Sequence, residues 1–176
     1  MRKFNLQMFA DAVQGKNIVY LFRVLEQAST DSGTLLAFVT ENGRTVSVDS
    51  DTTATKDGTI RTPGTPEIEI TSTSVLKKTD SFIDALETAM LANKKIECWE
   101  ANLDEPGTAT NSGKFKGKYY QGYITELEKT SAAEDMVEIS ITYAAEGIGA
   151  DGYVTVTAEQ QEAASYVFAD TPRTGV

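Results

Sequence analysis

The sequence predicts a mainly β protein: an antiparallel β-sandwich with one flanking α-helix at about 80–93 and extended N- and C-terminal arms. Three observations carry that expectation. Short runs rich in β-branched and aromatic residues recur along the chain, as at Ile18–Val24, Tyr119–Leu127 and Met136–Tyr143. Turn-forming clusters separate them without any βαβ rhythm. Only one long stretch carries a helical period, with Phe82, Ile83, Leu86, Ala89 and Met90 on a single stripe. At 176 residues, 40% of them hydrophobic, the chain can enclose a core of its own.

Residues 1–15 read as an arm. Phe4, Leu6, Met8 and Phe9 stand among polar residues, and Gln14-Gly15-Lys16 breaks the chain. Those apolar side chains have few local partners and would bury against this domain's flank or a neighbouring subunit. Residues 16–157 form the sandwich domain. Ile18–Val24 and Gly33–Thr40 read as strands, and Asn42-Gly43, between Phe38–Thr40 and Arg44–Val48, reads as a hairpin turn because Asn-Gly takes positive φ readily. Residues 49–66, rich in Asp, Thr, Ser, Gly and Pro, read as a long loop with turn signals at Asp57-Gly58 and Pro63-Gly64. A loop of that length in a compact domain binds something or is disordered.

From Glu67 to Ser74 the chain alternates, setting Glu67, Glu69, Thr71 and Thr73 on one face and Ile68, Ile70, Ser72 and Ser74 on the other. Asp80 is a good N-cap for the helix, and Lys94 and Lys95 follow its negative end. Strand character returns at Ile96–Trp99, and Leu103–Gly113 reads as a second loop. In the hairpin Tyr119–Leu127/Met136–Tyr143, Val137, Ile139, Ile141 and Tyr143 face one way and Glu138, Ser140 and Thr142 the other. After a strand at Tyr153–Val156, Thr157-Ala158-Glu159-Gln160 is a capping-box start. The short helix and C-terminal arm occupy 158–176.

Charge and missing residue types narrow the function. Sixteen basic against 26 acidic side chains give a formal charge of −10, which opposes ordinary nucleic-acid binding, since phosphate contacts need clustered Lys and Arg. The basic pairs Lys77-Lys78 and Lys94-Lys95, and the alternation Lys114, Lys116, Lys118, read as solvated faces or helix-end charges. With no histidine and a single cysteine, the usual zinc sets, an intrachain disulfide and the Ser-His or Cys-His mechanisms are not available. Cys98 reads as a packed thiol, and synthesis in a reducing cytoplasm follows. Glu67/Glu69 and Glu126/Glu128 each share a strand face but lie on exposed strands rather than across a pocket. Asp49-Ser50-Asp51 lacks the glycine and distal glutamate of a calcium loop. No phosphate loop and no membrane span appears. The reading is therefore no catalytic residue, no metal and no cofactor.

Trp99 with Tyr119, Tyr120 and Tyr123 could make a stacking platform for sugars or bases; aromatics of this kind more often fill a sandwich core or a subunit interface.

The order of features also carries a resemblance. The opening Met-Arg-Lys-Phe-Asn-Leu-Gln-Met-Phe-Ala, a β-hairpin region, the long loop at 49–66, the helix around Phe82-Ile83-Asp84-Ala85-Leu86 and the closing Ala164-Ser165-Tyr166-Val167-Phe168 together resemble the major tail proteins, or tail tube proteins, of long-tailed phages with non-contractile tails of the lactococcal and streptococcal type. The resemblance spans nearly the whole chain and lies in layout and local wording. It implies a virion protein made in the host bacterial cytoplasm. Its inner sheet would join those of five neighbours in a ring, and rings would stack through arms and a long loop. Its partners would be copies of itself, a tape-measure protein, and tail-terminator and baseplate proteins, with DNA passing through unbound and no membrane contact. Four strands from each of six subunits would close a barrel of about 24, and barrels of sixteen or more strands already enclose a channel.

On that basis Glu67, Glu69, Glu126 and Glu138 are expected to face the lumen. Asp51, Lys56, Asp57, Gly58 and Arg61 are expected between rings, and Phe4, Leu6, Met8, Phe9, Tyr166 and Phe168 in inter-subunit arms. Other readings are a carbohydrate-binding or adhesin sandwich, a head–tail joining protein, and a tube subunit of a contractile system.

Overall fold

The structure is a computed structural model and describes residues 13–164. Among these, eight strands and two helices run in the order β1 (Ile18–Val24), β2 (Thr34–Leu35), β3 (Val39–Thr55), β4 (Gly58–Val75), α1 (Ser81–Leu91), β5 (Ile96–Pro106), β6 (Phe115–Thr130), β7 (Glu138–Ala145), β8 (Ala150–Val154) and α2 (Ala158–Ala164). All ladders are antiparallel, in the order β2-β1-β5-β6-β7-β4-β3, with β8 paired to the start of β6. The antiparallel, mainly β architecture with one flanking helix is thus the one the sequence predicts.

The sheet becomes a sandwich because β6 serves both halves. Its residues Gly117–Gly122 pair with β5, and Gly122–Thr130 pair with β7, with a register shift between Ile124 and Glu126. Gly122 sits where the partners change. A Cβ there would lie 2.0 Å from the Ala144 carbonyl oxygen, so the close approach of β7 requires glycine. The halves then face each other across side chains far apart in strand order: Phe22 of β1 meets Tyr143 of β7 edge-on at 6.1 Å, and Tyr143 Oη donates to the Ile96 carbonyl at 3.0 Å. Between them lies the main core, built from alternate residues of β1, β4, β5, β6 and β7, among them Phe22, Ile70, Ile96, Cys98, Ile141 and Tyr143. A smaller cluster of Val19, Leu21, Ala101 and Val156 lies on the other face of β1 and β5.

Helix α1 contributes Ile83, Leu86 and Ala89 to the main core. As predicted, Asp80 caps it, accepting from the Phe82 and Ile83 amides at 3.2 and 3.4 Å. Replacing Asp80 with Ala is expected to cost about 1 kcal/mol and to lower the melting temperature by about 2–4 °C, checked by thermal denaturation; an unchanged midpoint would show that the cap contributes nothing. The second cap is a reciprocal box: the Thr157 amide donates to Gln160 Oε1 at 3.0 Å and the Gln160 amide to Thr157 Oγ1 at 3.3 Å.

Several expectations need correction. Asn42-Gly43 is not a turn: both residues lie inside β3, opposite Ser72 and Thr71, and Asn42 Oδ1 accepts from Ser72 Oγ at 2.6 Å. The sharing of β4 with β7 holds this stretch extended, and tertiary pairing overrides the local turn preference. Residues 49–66 are not a loop but the two arms of a hairpin, paired down to Thr55↔Gly58, with register shifts near Val48–Ser50. Only the Asp57-Gly58 signal marks a turn, Gly58 holding φ 140°. Neither face of these arms packs on a core, so the apolar alternation that announces a strand is absent. The expected strand Gly33–Thr40 shrinks to Thr34–Leu35 before Phe38, at φ 51°, starts β3 afresh. The expected loop 103–113 is shorter, because β5 continues to Pro106. The last strand ends at Val154 rather than Val156.

Candidate functional site

Residues opposite each other in an antiparallel ladder place their side chains on the same face, so the register sorts every side chain of the β3-β4-β7-β6 half. Ile70 lies opposite Tyr143, Ser72 opposite Ile141 and Ser74 opposite Ile139, and all of them are buried in the sandwich. The reverse face carries Glu67 and Glu69, aligned with Ser47 and Thr45 of β3. Glu69 and Thr71 lie opposite Ala144 and Thr142 of β7, which in turn lies against Glu126, while Glu138 lies opposite Thr130. The structure therefore brings Glu67, Glu69, Glu126 and Glu138 onto one face, and all four are exposed.

Two further carboxylates join them: Glu128, which the sequence sets on the face of Glu126 without naming it for the lumen, and Glu41, which the sequence reading missed. Glu41 aligns with Thr73, and Glu128 with Ser140. Glu41 was hidden by the supposed turn at Asn42-Gly43, which left the side of its chain undefined. The two basic residues in these stretches, Arg44 and Lys129, lie opposite Ile70 and Ile139, on the core side. The ladder positions of this face thus hold six glutamates and no lysine or arginine, with Lys95 reaching its β6 margin over Tyr123, opposite Ala144.

The same half ends in an open edge. β3 is 17 residues long and, among the described residues, has a ladder partner on one side only, whereas the opposite edge, β2, has two residues. A long unguarded edge is an invitation to pair with another chain.

Asp51, Lys56, Asp57, Gly58 and Arg61 lie on the hairpin that continues this edge. Lys56 and Asp57 form its turn, and Asp51 and Arg61 stand on its arms opposite Thr62 and Thr52. Residues 49–65 are exposed throughout. β4 pairs with β7 only from Ile68 onward, so beyond that point, among the described residues, the two arms pair only with each other and extend about 30 Å at ~3.3 Å per residue. The candidate arm residues Phe4, Leu6, Met8, Phe9, Tyr166 and Phe168 lie outside the described residues.

The aromatic residues do not gather into one platform. Tyr120 points into the core. Trp99 and Tyr119 lie on the other face, 5.4 Å apart, with the Arg23 guanidinium 4.9 Å over the indole. Arg23 pairs with Glu97 at 2.6 Å, and Tyr119 Oη donates to Glu97 Oε1 at 2.7 Å. Tyr123 lies under Lys95 Nζ at 5.9 Å. The four rings therefore do not form one stacking platform.

A second polar cluster, not foreseen from sequence, ties the edge strand to the opposite half. Arg44 Nε of β3 lies 2.8 Å from Glu100 Oε2 of β5, which also accepts from Tyr20 Oη at 2.8 Å. Burial, reinforced by Glu100, pushes the Tyr20 phenol well up, so it stays a donor. Arg44→Met would leave the half-buried Glu100 without its cation and is expected to cost about 1.5–3 kcal/mol. Urea unfolding checks this, and a midpoint like that of the unsubstituted chain would count against the strap. Cys98 is fully buried, and burial raises its thiol well above the usual range, consistent with a packing role. Among the described residues, no group of three or more His, Cys, Asp or Glu side chains is placed to hold a metal ion.

A curled antiparallel sandwich that, among the described residues, leaves a long strand edge open and projects a hairpin presents the surfaces of a structural subunit. Residues 12–151 match the family model described as phage tail tube protein, and the chain belongs to that family: it is a structural protein of the phage tail, not an enzyme. It is 31% identical over 143 residues to a putative tail protein of Staphylococcus phage phiMR25, covering 80% of this chain and 74% of the relative. In fold it is similar to the SPP1 tail tube protein, with a TM-score of 0.69 at 22% identity over 94% of this chain and 95% of that one. It is also similar to the tail of a gene transfer agent particle refined with C6 symmetry, with a TM-score of 0.59 at 13% identity over 82% and 100%. A third likeness is to the sheath–tube complex of an extracellular contractile injection system, with a TM-score of 0.54 at 13% identity over 81% and 93%.

Proposed function

We propose that this chain closes six-membered rings whose acidic sheet face lines the bore, and that the rings stack into the tube of a long, non-contractile tail that conducts DNA during ejection. The observation that carries this reading is the face of six carboxylates, Glu41, Glu67, Glu69, Glu126, Glu128 and Glu138, with no lysine or arginine at the ladder positions between them. Six subunits would bring 36 such groups to one ring. DNA carries one phosphate charge per about 1.7 Å, and a wall of like sign keeps it hydrated and sliding, where lysines would hold it. Side-by-side pairing along β3 satisfies the open edge and makes the inner sheets continuous.

Stacking falls to the hairpin around Asp51, Lys56, Asp57, Gly58 and Arg61 and to the arms containing Phe4, Leu6, Met8, Phe9, Tyr166 and Phe168. Tape-measure, tail-terminator and baseplate proteins complete the set of partners, after synthesis in the host cytoplasm. Kinship with the lactococcal and streptococcal type rests on the wording of the sequence.

Helical reconstruction of tubes grown from the concentrated protein tests the reading. Six-fold rings with Glu67, Glu69, Glu126 and Glu138 on the bore are expected. A bore lined by the Arg23–Trp99 face, or a protein that stays monomeric at every concentration, would overturn it.

A further inference from the structure

Strand β3, whose outer edge is open, gives no side chain to either core cluster. Its apolar residues Val39, Val46 and Val48 are exposed, and register shifts after Val39 and after Val48 interrupt its ladder with β4. In the stretch between those shifts Thr40 donates to the Thr73 carbonyl and Asn42 accepts from Ser72, both on β4. Among the described residues, Arg44 is the one side chain of β3 that bonds outside β4. Its Nε lies 2.8 Å from Glu100 Oε2 on β5, and its Nη1 donates to Tyr120 Oη on β6 at 3.4 Å. Glu100 Oε2 accepts in turn from Tyr20 Oη on β1 at 2.8 Å. The guanidinium thus grips β5 and β6 directly, and β1 through Glu100.

A partly buried ion pair, here with side chains 30% and 17% exposed, is seldom a better stabiliser than apolar side chains of similar volume. It does what an apolar contact cannot. The planar guanidinium accepts partners only over a narrow range of approach, so it fixes the direction of the strand that carries it. Direction matters at this edge, because a neighbouring strand must lie about 4.8 Å away along a whole row of amides and carbonyls. A tilt of β3 would break several of those hydrogen bonds at once. Without Arg44 the strand would hinge on β4 alone, with the free arm of the hairpin beyond it.

We propose that Arg44 is a positioning residue for self-assembly: through Glu100 and Tyr120 it holds β3 at the angle at which a second copy can pair with it. This rests on the ring reading above and adds the residue that readies its open edge.

The test is the double variant Arg44→Met/Glu100→Gln. It removes one positive and one negative charge, so the formal charge stays at −10 and the acidic face is untouched. No carboxylate is left without its cation, and the amide oxygen introduced at position 100 still accepts from Tyr20. The melting temperature is expected to stay near that of the native protein. The lowest concentration that yields tubes, read by light scattering and electron microscopy, is expected to rise about tenfold or more, since an edge aligned for only a tenth of the time weakens the apparent affinity tenfold. Assembly at the native concentration, or a rise only in step with a lower melting temperature, would overturn the role of Arg44 and leave the ring intact. Native protein that never forms tubes would overturn the ring reading itself. Should the double variant not fold, nitrogen-15 relaxation of the Arg44 Nε–H in the unsubstituted monomer decides: order close to that of the backbone around it is expected, and a freely reorienting guanidinium refutes the proposal.

Discussion

A chain in which residues 52–62 are replaced by Asn-Gly should fold as a monomer and form no tubes at any concentration. Folding survives because neither core cluster draws a side chain from the hairpin, and because the exchange leaves Ser50 and Pro63, already cross-strand partners, joined by a short loop with glycine at its bend. Exposed segments away from a core contribute within about 0.5 kcal/mol, so the melting temperature should move by no more than about 2 °C. Stacking, in contrast, loses the hairpin, whose two arms run past the last β4–β7 pair at Ile68. Circular dichroism measures the first half of the expectation; sedimentation velocity and electron microscopy measure the second. Long tubes from this variant would show that rings stack through other contacts, and a molten variant would show that the hairpin supports the sandwich.

Much of this fold was legible in the sequence wherever one face of an element is buried. The alternation Glu67–Ser74 fixed which side of β4 is wet, the stripe Ile83–Leu86–Ala89 fixed the inner face of α1, and the Asp80 and Thr157 caps appear as read. What failed shares one physical cause. Residues 49–66 are held in strands by pairing alone, so neither side had to be apolar and the chain reads as loop. Asn42-Gly43 has a strong local turn preference that only a long-range partner, β4, could override, and no local pattern announces that partner. The acidic face was half legible for a related reason. The spacing of Glu67 and Glu69 shows two carboxylates on one side of a strand, but bringing Glu126, Glu128 and Glu138 beside them takes the β4-β7-β6 order, and placing Glu126 with Glu128 on the same face as Glu138 takes the register shift after Ile124. Arg44 reaching Glu100 is a consequence of the curl of the sheet, and one-dimensional periodicity holds no record of it.

Reversing charge on that face gives the second large expected effect. Glu67→Lys with Glu69→Lys changes each subunit by four charge units, and a six-fold ring by twenty-four. Both side chains are exposed, on the reverse of the core, so the sandwich should fold and tubes should form as before. DNA threading the bore would then meet a ladder of ammonium groups repeated in every ring, each able to take a phosphate and release a counterion. Passage changes from sliding to repeated binding and release, and ejection slows. The signature that separates this from a merely narrowed bore is its dependence on salt. The Debye length falls from about 10 Å at 0.1 M to about 3 Å at 1 M, so the slowing should be severe at low ionic strength and fade as salt rises. Replacing the same residues with Gln removes charge without adding any, and should leave ejection close to that of the native phage. Ejection triggered in vitro and followed by a DNA-binding dye reads all three forms. If the lysine phage ejects at the native rate across the whole salt range, Glu67 and Glu69 do not face the DNA, and the inner wall must be sought on another face of the sandwich.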